Sequence, residues 1–273
     1  MKINKALTYD DVLLTPQYSN IRSRKEVNIG NDLDNNIRLN IPVISSPMDT
    51  VTEDKMATTM HQSSGLGIIH RYNTIQEQCE LVRQCEFAGA AVGVTCDFLQ
   101  RAVNLFDAGV QVICIDVAHG HHILVQNAIK KIREELGNRI HIMAGNVATQ
   151  EGFEALSDWG ADSVRCNVGG GSICSTRIQT GHGIPGLQTI FDCARSDRDT
   201  KIIADGGIRS SGDIVKALAA GADFVMLGSI LAGTSESPGS VVVEGDGSQY
   251  KLYRGMASKE AQMNWRGKFS SNE

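Results

Sequence analysis

Eight short apolar runs, separated by segments of helical period, leave few folds open to this sequence. The runs are IPVISS (41–46), GLGIIH (65–70), AAVGV (90–94), VICIDV (112–117), HIMAGNV (141–147), SVRCNV (163–168), KIIADGG (201–207) and FVMLGS (224–229). They are nearly continuous rather than alternating, as expected of parallel strands covered on both faces. Amphipathic segments at 53–63, 74–88, 97–108, 121–136, 150–158, 186–195 and 210–220 follow them. Strand and helix in strict alternation predict parallel strands joined by helices. Eight strand runs with seven intervening helical segments predict an α/β fold of the (β/α)8 TIM-barrel type. GADSV (160–164) and GADFV (221–225) each lead from a helix end into a strand, as repeated βα units would.

The 273 residues suit one such domain, spanning 1–273, since barrels of this kind run to about 250 residues. A chain of this size buries a full core without metals or disulfides. The eighth run has no helix after it. A Gly/Ser-rich polar stretch, 233–249, leads to YKLYRGM and then to the end of the sequence. Either the barrel closes in an unusual way or, as the favoured expectation, the eighth helix lies beyond residue 273 in a longer gene product. The loop 169–185 and the flap-like segment 230–273 fall among the βα loops, which form the active face of such a barrel.

Charge and cysteine usage remove several function classes. The net charge is −5 with no long basic run, which argues against a nucleic-acid surface but permits a local phosphate pocket. Seven cysteines, at 79, 85, 96, 114, 166, 174 and 193, form neither a C-x-x-C pair nor a disulfide framework, so reduced thiols and a cytoplasmic location are expected. The N-terminal MKINKALTYDDVLLTP lacks an apolar signal region, and no run has transmembrane length, so no membrane partner is expected.

The ends of the last two runs suit a phosphate. They finish in Asp205-Gly206-Gly207 and Gly228-Ser229, and many barrels hold a phosphate on backbone N–H groups after strands seven and eight. Glycine permits close approach, a serine hydroxyl adds a donor, and Asp205 can accept from ribose hydroxyls. The plain alternative is a pair of strand-end turns. The loop after the sixth run reads GGGSICSTR (169–177). A cysteine there, beside hydroxyls and an arginine, is a candidate thiolate nucleophile, although a packed apolar role is commoner for cysteine. His119, His121 and His122 lack an acidic or cysteine partner at ligand spacing and read as a loop entering a helix. Asp116 ends the fourth run, either to meet the ribose of a cofactor or as a buried structural aspartate. No G-x-G-x-x-G opens a helix, so a Rossmann-type site is not supported.

Taken together, LTYDDVLLTPQYS (7–19), SSPMDTVTE (45–53), GLGIIHRY (65–72), AGNVAT (144–149), GGGSICSTR (169–177), IIADGGIRSSGDI (202–214), VMLGSILAGTSESPG (225–239) and YRGM (253–256) resemble the IMP dehydrogenase / GMP reductase family, in order and over the whole chain. The resemblance implies a barrel enzyme, usually a homotetramer, whose cysteine adds to the purine C2 and whose adduct exchanges hydride with a nicotinamide cofactor. It implies Cys174 as nucleophile and Thr176 as the hydroxyl that assists the attacking or departing group. Ser172, Gly207, Gly228, Ser229 and Tyr253 fall at phosphate positions and Asp205 at the ribose position. Ser46, Met48, Gly255 and Met256 fall near the nucleotide, and Asp116 falls at the nicotinamide riboside. The carbonyls of Gly169, Gly171 and Cys174 match the potassium site of the dehydrogenases. That loop reads GGGSIC where the family usually has GPGSIC, a loss that loosens the free loop.

The family runs two reactions. A dehydrogenase oxidises IMP with NAD and hydrolyses the adduct to XMP, using an Arg-Tyr pair on a flap. A reductase expels ammonia from GMP, takes hydride from NADPH and forms IMP, using a glutamate paired with the threonine. After YRGM this chain has no Arg-Tyr pair, and Glu273 falls where the reductase glutamate is expected. The CBS domains usual in dehydrogenases are absent between 70 and 90, and IDVAHGH (115–121) also leans towards reductases. SSPMDTVTE and LTYDDVLLTP lean towards dehydrogenases. The reading is a GMP reductase with NADPH, with Arg266 and Lys268 as candidates for the 2′-phosphate. The alternatives are an IMP dehydrogenase with NAD, or a non-catalytic purine-nucleotide-binding barrel.

Overall fold

The computed structural model describes residues 5–256 together with 258, 261, 263 and 265. Eight parallel strands close into a barrel: β1 (Val43–Ser45), β2 (Leu66–Ile69), β3 (Gly89–Val92), β4 (Val112–Asp116), β5 (His141–Val147), β6 (Ser163–Cys166), β7 (Lys201–Asp205) and β8 (Phe224–Leu227). Closure is direct, with Val225 of β8 opposite Val43 of β1. All eight expected strands and the (β/α)8 fold class are present. The apolar runs are continuous because each strand is buried on two sides. In β4, Val112 and Cys114 face the barrel interior while Ile113 and Ile115 face the helices.

The seven expected helices are α1 (Asp54–Gln62), α2 (Ile75–Arg83), α3 (Phe98–Asp107), α4 (Ile123–Leu136), α5 (Gln150–Asp158), α7 (Gly186–Cys193) and α8 (Ser211–Ala219), with a short α6 (Thr176–Thr180) inside the active-face loop. Their starts follow capping chemistry. Thr74 and Glu77 form a capping box on α2, and Thr149 and Ser210 accept backbone N–H groups of α5 and α8, each such cap worth about 1 kcal/mol. His122, from the histidine cluster, caps α4 by accepting from the Leu124 N–H at 3.1 Å.

The N-terminal end of the barrel is closed by a hairpin pairing Asn31–Asp32 with Arg38–Leu39, which packs Leu33 and Leu39 under Phe224 and Val112. Here His141 bonds Asp34 through Nδ1 at 2.7 Å and Ser163 through Nε2 at 2.8 Å. The residue types are those of a hydrolytic triad, but Ser163 is fully buried at the end of the barrel away from the active face. The cluster fastens the hairpin instead. Burial opposes the charge on Asp34, but bonds from His141, the Asn36 N–H and the Ile37 N–H outweigh it and hold its pKa below the usual value.

Beyond β8, the Gly/Ser-rich stretch contains an exposed antiparallel ribbon, Val242–Val243 with Gln249–Tyr250. Lys251 Nζ ties it back by donating to the carbonyls of Thr234 and Ser237 at 2.8 and 2.7 Å. The apolar runs do not extend to this ribbon, yet Asp246-Gly247 between two β-branched or aromatic segments is a hairpin signal, and Gly247 turns with φ +84°. Among the described residues after Met256, Ala261, Met263 and Trp265 are helical. No helix among the described residues is long and apolar enough to cross a membrane.

Candidate active site

At the C-terminal ends of the strands lies a cavity of about 670 Å³. Every candidate residue from the sequence that falls within the described residues lines this cavity. Glu273, Arg266 and Lys268 lie outside the described residues.

One wall is built where β7, β8 and β1 end. Gly206 and Gly207 have φ of +81° and +76°, a left-handed pair that favours glycine. Across from them, a Cβ added to Gly228 would lie 3.0 Å from Ser46 Oγ, 3.3 Å from Met48 Sδ and 3.3 Å from Tyr253 Oη. Candidate residues from three separate segments thus meet at one bare backbone position. Ser46 Oγ is buried and has no hydrogen-bond partner within the protein. A buried hydroxyl left unpaired costs free energy unless a ligand or water completes it. The Tyr253 phenol bonds Ser172, and its pKa is raised, chiefly by burial and further by Asp205 and Cys174. Segment 253–256 is held down by Arg254, whose Nε donates to Asp49 at 3.1 Å, while the Asp49 N–H points to Met256 Sδ at 3.3 Å.

The opposite wall is the loop after β6. An isolated bridge between Val168 and Ile184 closes its base. Cys174 is half-buried near the tip, its thiol 3.3 Å from Thr176 Oγ1. A Cβ on Gly255 would come 3.4 Å from the Ile173 carbonyl, so this loop touches the 253–256 segment. Of the three carbonyls matched to a cation, that of Gly171 accepts the Cys174 N–H at 3.1 Å and keeps one lone pair for a further partner.

The floor carries a charge network that sequence reading did not place. Arg165, on β6, is buried inside the barrel and pairs with Asp116 on one side and Asp205 on the other. Burial alone would depress its pKa, but Asp205 and Asp116 more than reverse that and hold it well above the usual value. Arg165 Nε and Nη2, with Asn146 Nδ2, all donate to Asp205 Oδ2, at 3.1, 2.8 and 2.6 Å. Arg165 Nη1 donates to Asp116 Oδ1. Each carboxylate is therefore held by one oxygen on the same guanidinium, and its other oxygen remains as an acceptor for the cavity. Vicinal hydroxyls of a riboside suit such an acceptor. Arg165 had a legible signal, since an arginine inside an apolar strand must be paired. Asn146 and Asn167, both in this network, had none.

Known proteins with this arrangement bear on what it does. The family model for the IMP dehydrogenase / GMP reductase domain matches residues 6–273. GMP reductase of Leishmania major is 33% identical, covering 93% of this chain and 80% of its own. That alignment runs over 393 residues, longer than the 273-residue chain, so the relative carries inserted sequence within the aligned span. The crystal structure of inosine 5′-monophosphate dehydrogenase from Legionella pneumophila superposes with a TM-score of 0.89 at 48% identity, covering 98% of this chain and 83% of that one. A cysteine-to-alanine variant of GMP reductase from Trypanosoma brucei, in complex with guanosine 5′-monophosphate, superposes with a TM-score of 0.93 at 31% identity, covering 97% and 84%. The motifs, the barrel and these likenesses agree: the chain belongs to the IMP dehydrogenase / GMP reductase family, whose members are oxidoreductases of purine nucleotides.

Proposed function

We propose that this protein is an NADPH-dependent GMP reductase that works through a covalent bond between Cys174 and the purine C2. The observation that carries the covalent step is the Cys174 thiol 3.3 Å from the Thr176 hydroxyl, facing a cavity with a phosphate-type wall and a riboside-type floor. The phosphate rests against Ser46, Ser172, Gly207, Gly228, Ser229 and Tyr253, and the ribose hydroxyls donate to the open oxygen of Asp205. Met48, Gly255 and Met256 enclose the base. In this reading C2 lies against Cys174. The thiolate adds to C2, which turns from planar to tetrahedral as the electron pair of its ring double bond moves to nitrogen; ammonia then departs with a proton relayed by Thr176 and Glu273, and that pair restores the C2–N double bond. The open oxygen of Asp116 would hold the riboside of a nicotinamide cofactor, which would supply the hydride that C2 needs; Cys174 would then leave as thiolate and IMP would remain. The carbonyls of Gly169, Gly171 and Cys174 would hold a potassium ion, through lone pairs not used within the loop.

The absence of an Arg-Tyr pair between Tyr253 and Glu273 supports the reductase direction, since water activation calls for a strong base on a closing flap. The 48% identity with the Legionella dehydrogenase favours a second reading, oxidation of IMP by NAD to XMP. Following nicotinamide absorbance with GMP plus NADPH, and separately with IMP plus NAD, decides between them. Turnover of GMP is expected. Formation of XMP with GMP untouched reverses the assignment. We further place the enzyme in the cytoplasm as a homotetramer. Leu13 and Tyr18, 88% and 94% exposed on the N-terminal arm, support a covering subunit.

A prediction follows from the glycine-lined wall. Guanosine is expected to bind at least about 100-fold more weakly than GMP, because charge-assisted and backbone bonds to a phosphate contribute about 1.5–3 kcal/mol each. Calorimetric titration measures both. Equal affinities would show that the phosphate does not rest on this wall.

A further inference from the structure

Asn167 and Gly170 compete for one volume. Asn167 follows β6, is 4% exposed, and holds φ +152°, a conformation that favours glycine. Its side chain turns over Gly170. A Cβ built on Gly170 would lie 2.1 Å from Asn167 Nδ2 and 2.6 Å from Oδ1, far inside contact distance. Gly170 itself does not have a left-handed φ, so the neighbouring carboxamide, and not the backbone, forbids a side chain there. From this place Asn167 Nδ2 donates to the carbonyls of Asp205 at 2.8 Å and Gly206 at 3.3 Å. The Asn167 carbonyl accepts from Asn146 Nδ2 at 3.0 Å, and its N–H donates to the Val147 carbonyl at 2.8 Å. The start of the Cys174 loop is therefore bonded to the ends of β5 and β7 at once. Glycines let the loop lie against β7, since a Cβ on Gly206 would sit 3.3 Å from Gly171 Cα and one on Gly207 3.0 Å from the Gly170 carbonyl.

We propose that Asn167 is a positioning residue for Cys174, and that residue 170 must stay glycine for as long as residue 167 is asparagine. The inference rests on the reading of Cys174 as the nucleophile. A non-glycine residue held in a sparsely populated conformation persists when its surroundings over-determine it, and such residues cluster at functional sites. The GGG loop has more freedom than a proline-bearing one. The Asn167 carboxamide restrains it from outside, by tying its base to the turn that carries Asp205.

The test compares the wild type with Asn167→Gly, Gly170→Ala and the double variant. Three quantities are measured on each: kcat and KM for GMP with NADPH, the rate of Cys174 alkylation by iodoacetamide mapped on peptides, and thermal unfolding. Gly170→Ala is expected to eject the carboxamide and lower kcat about 10- to 100-fold, the scale of a misplacement of about 1 Å, with KM for GMP changed less than threefold. Asn167→Gly is expected to lower kcat about tenfold by the same argument. In the double variant the alanine should cost less than about threefold beyond Asn167→Gly alone, because the volume is then free. An alanine that costs the same factor in both backgrounds overturns the shared volume. Unchanged kcat and alkylation rate in Asn167→Gly overturn the positioning role. If Gly170→Ala does not fold, a folded double variant supports the proposal and an unfolded one overturns it. Should the wild type turn over neither GMP nor IMP, the proposed function fails, and the alkylation rates still decide the role of Asn167.

Discussion

Replacing Cys174 with alanine is expected to lower turnover at least about 10⁴-fold, the scale seen when a covalent nucleophile is removed, while GMP affinity stays within a few-fold. No other thiol can take its place. Cys114 lies beneath Arg165, and its thiol pKa is pushed up to about 12, chiefly by burial. Cys166 is fully buried, and burial also raises its pKa well above the usual value. Cys174 alone of the seven lines the main cavity. Binding survives because the wall formed by Gly207, Gly228 and Ser46 and the floor formed by Asp205 lie apart from the thiol. Steady-state assays and calorimetry on the variant check both halves. A purine nucleotide carrying a leaving group at C2 should alkylate this cysteine selectively. Residual turnover near the wild-type rate, or label spread over several cysteines, would remove the covalent step.

Arg165→Met is expected to destabilise the protein by about 3–5 kcal/mol, the range measured when one partner of a buried ion pair is removed. Methionine keeps much of the side-chain length but leaves Asp116 and Asp205 facing each other without their shared cation. Arg165 is 7% exposed at its side chain and its partners 20% and 13%, so solvent replaces little of the lost interaction. In a protein of this size the loss should lower the melting temperature by roughly 10 °C. Nucleotide and cofactor affinities should fall as well, since the same guanidinium orients both carboxylates. Arg165→Lys should recover part of the stability through its charge but little of the affinity, because a point charge cannot bond both carboxylates as a planar fork does. A stability within about 1 kcal/mol of wild type, measured by denaturant titration, would show that the network contributes little.

These two residues mark the boundary of what was legible. Cys174 stood out because GGGSICSTR placed a thiol, hydroxyls and glycines in one loop, a local pattern. The eight strands and seven helices were equally local. Hydrophobic period and capping residues act within a few positions, so 141–147 and 150–158 appear in the structure as read from the sequence. The glycines at the ends of β7 and β8 belong to the same class, since their freedom of φ is a property of the residue itself.

The tertiary structure decided which groups meet across the barrel. Arg165 is 49 positions from Asp116 and 40 from Asp205, and only closure of the sheet brings all three onto the floor of one cavity. Ser46 and Gly228 meet because β8 pairs with β1, the step that turns a row of strands into a ring. Asn167 reads as an unremarkable polar residue after a strand, and its carboxamide acquires a role only when β7 stands beside β6 and offers the carbonyls of Asp205 and Gly206. The sequence by itself determined the periodic elements and the reactive loop, because propensity and burial pattern are set by near neighbours. The pairing of buried polar groups depends on register and closure, because a hydrogen bond or ion pair forms only where two distant segments arrive within about 3 Å of one another.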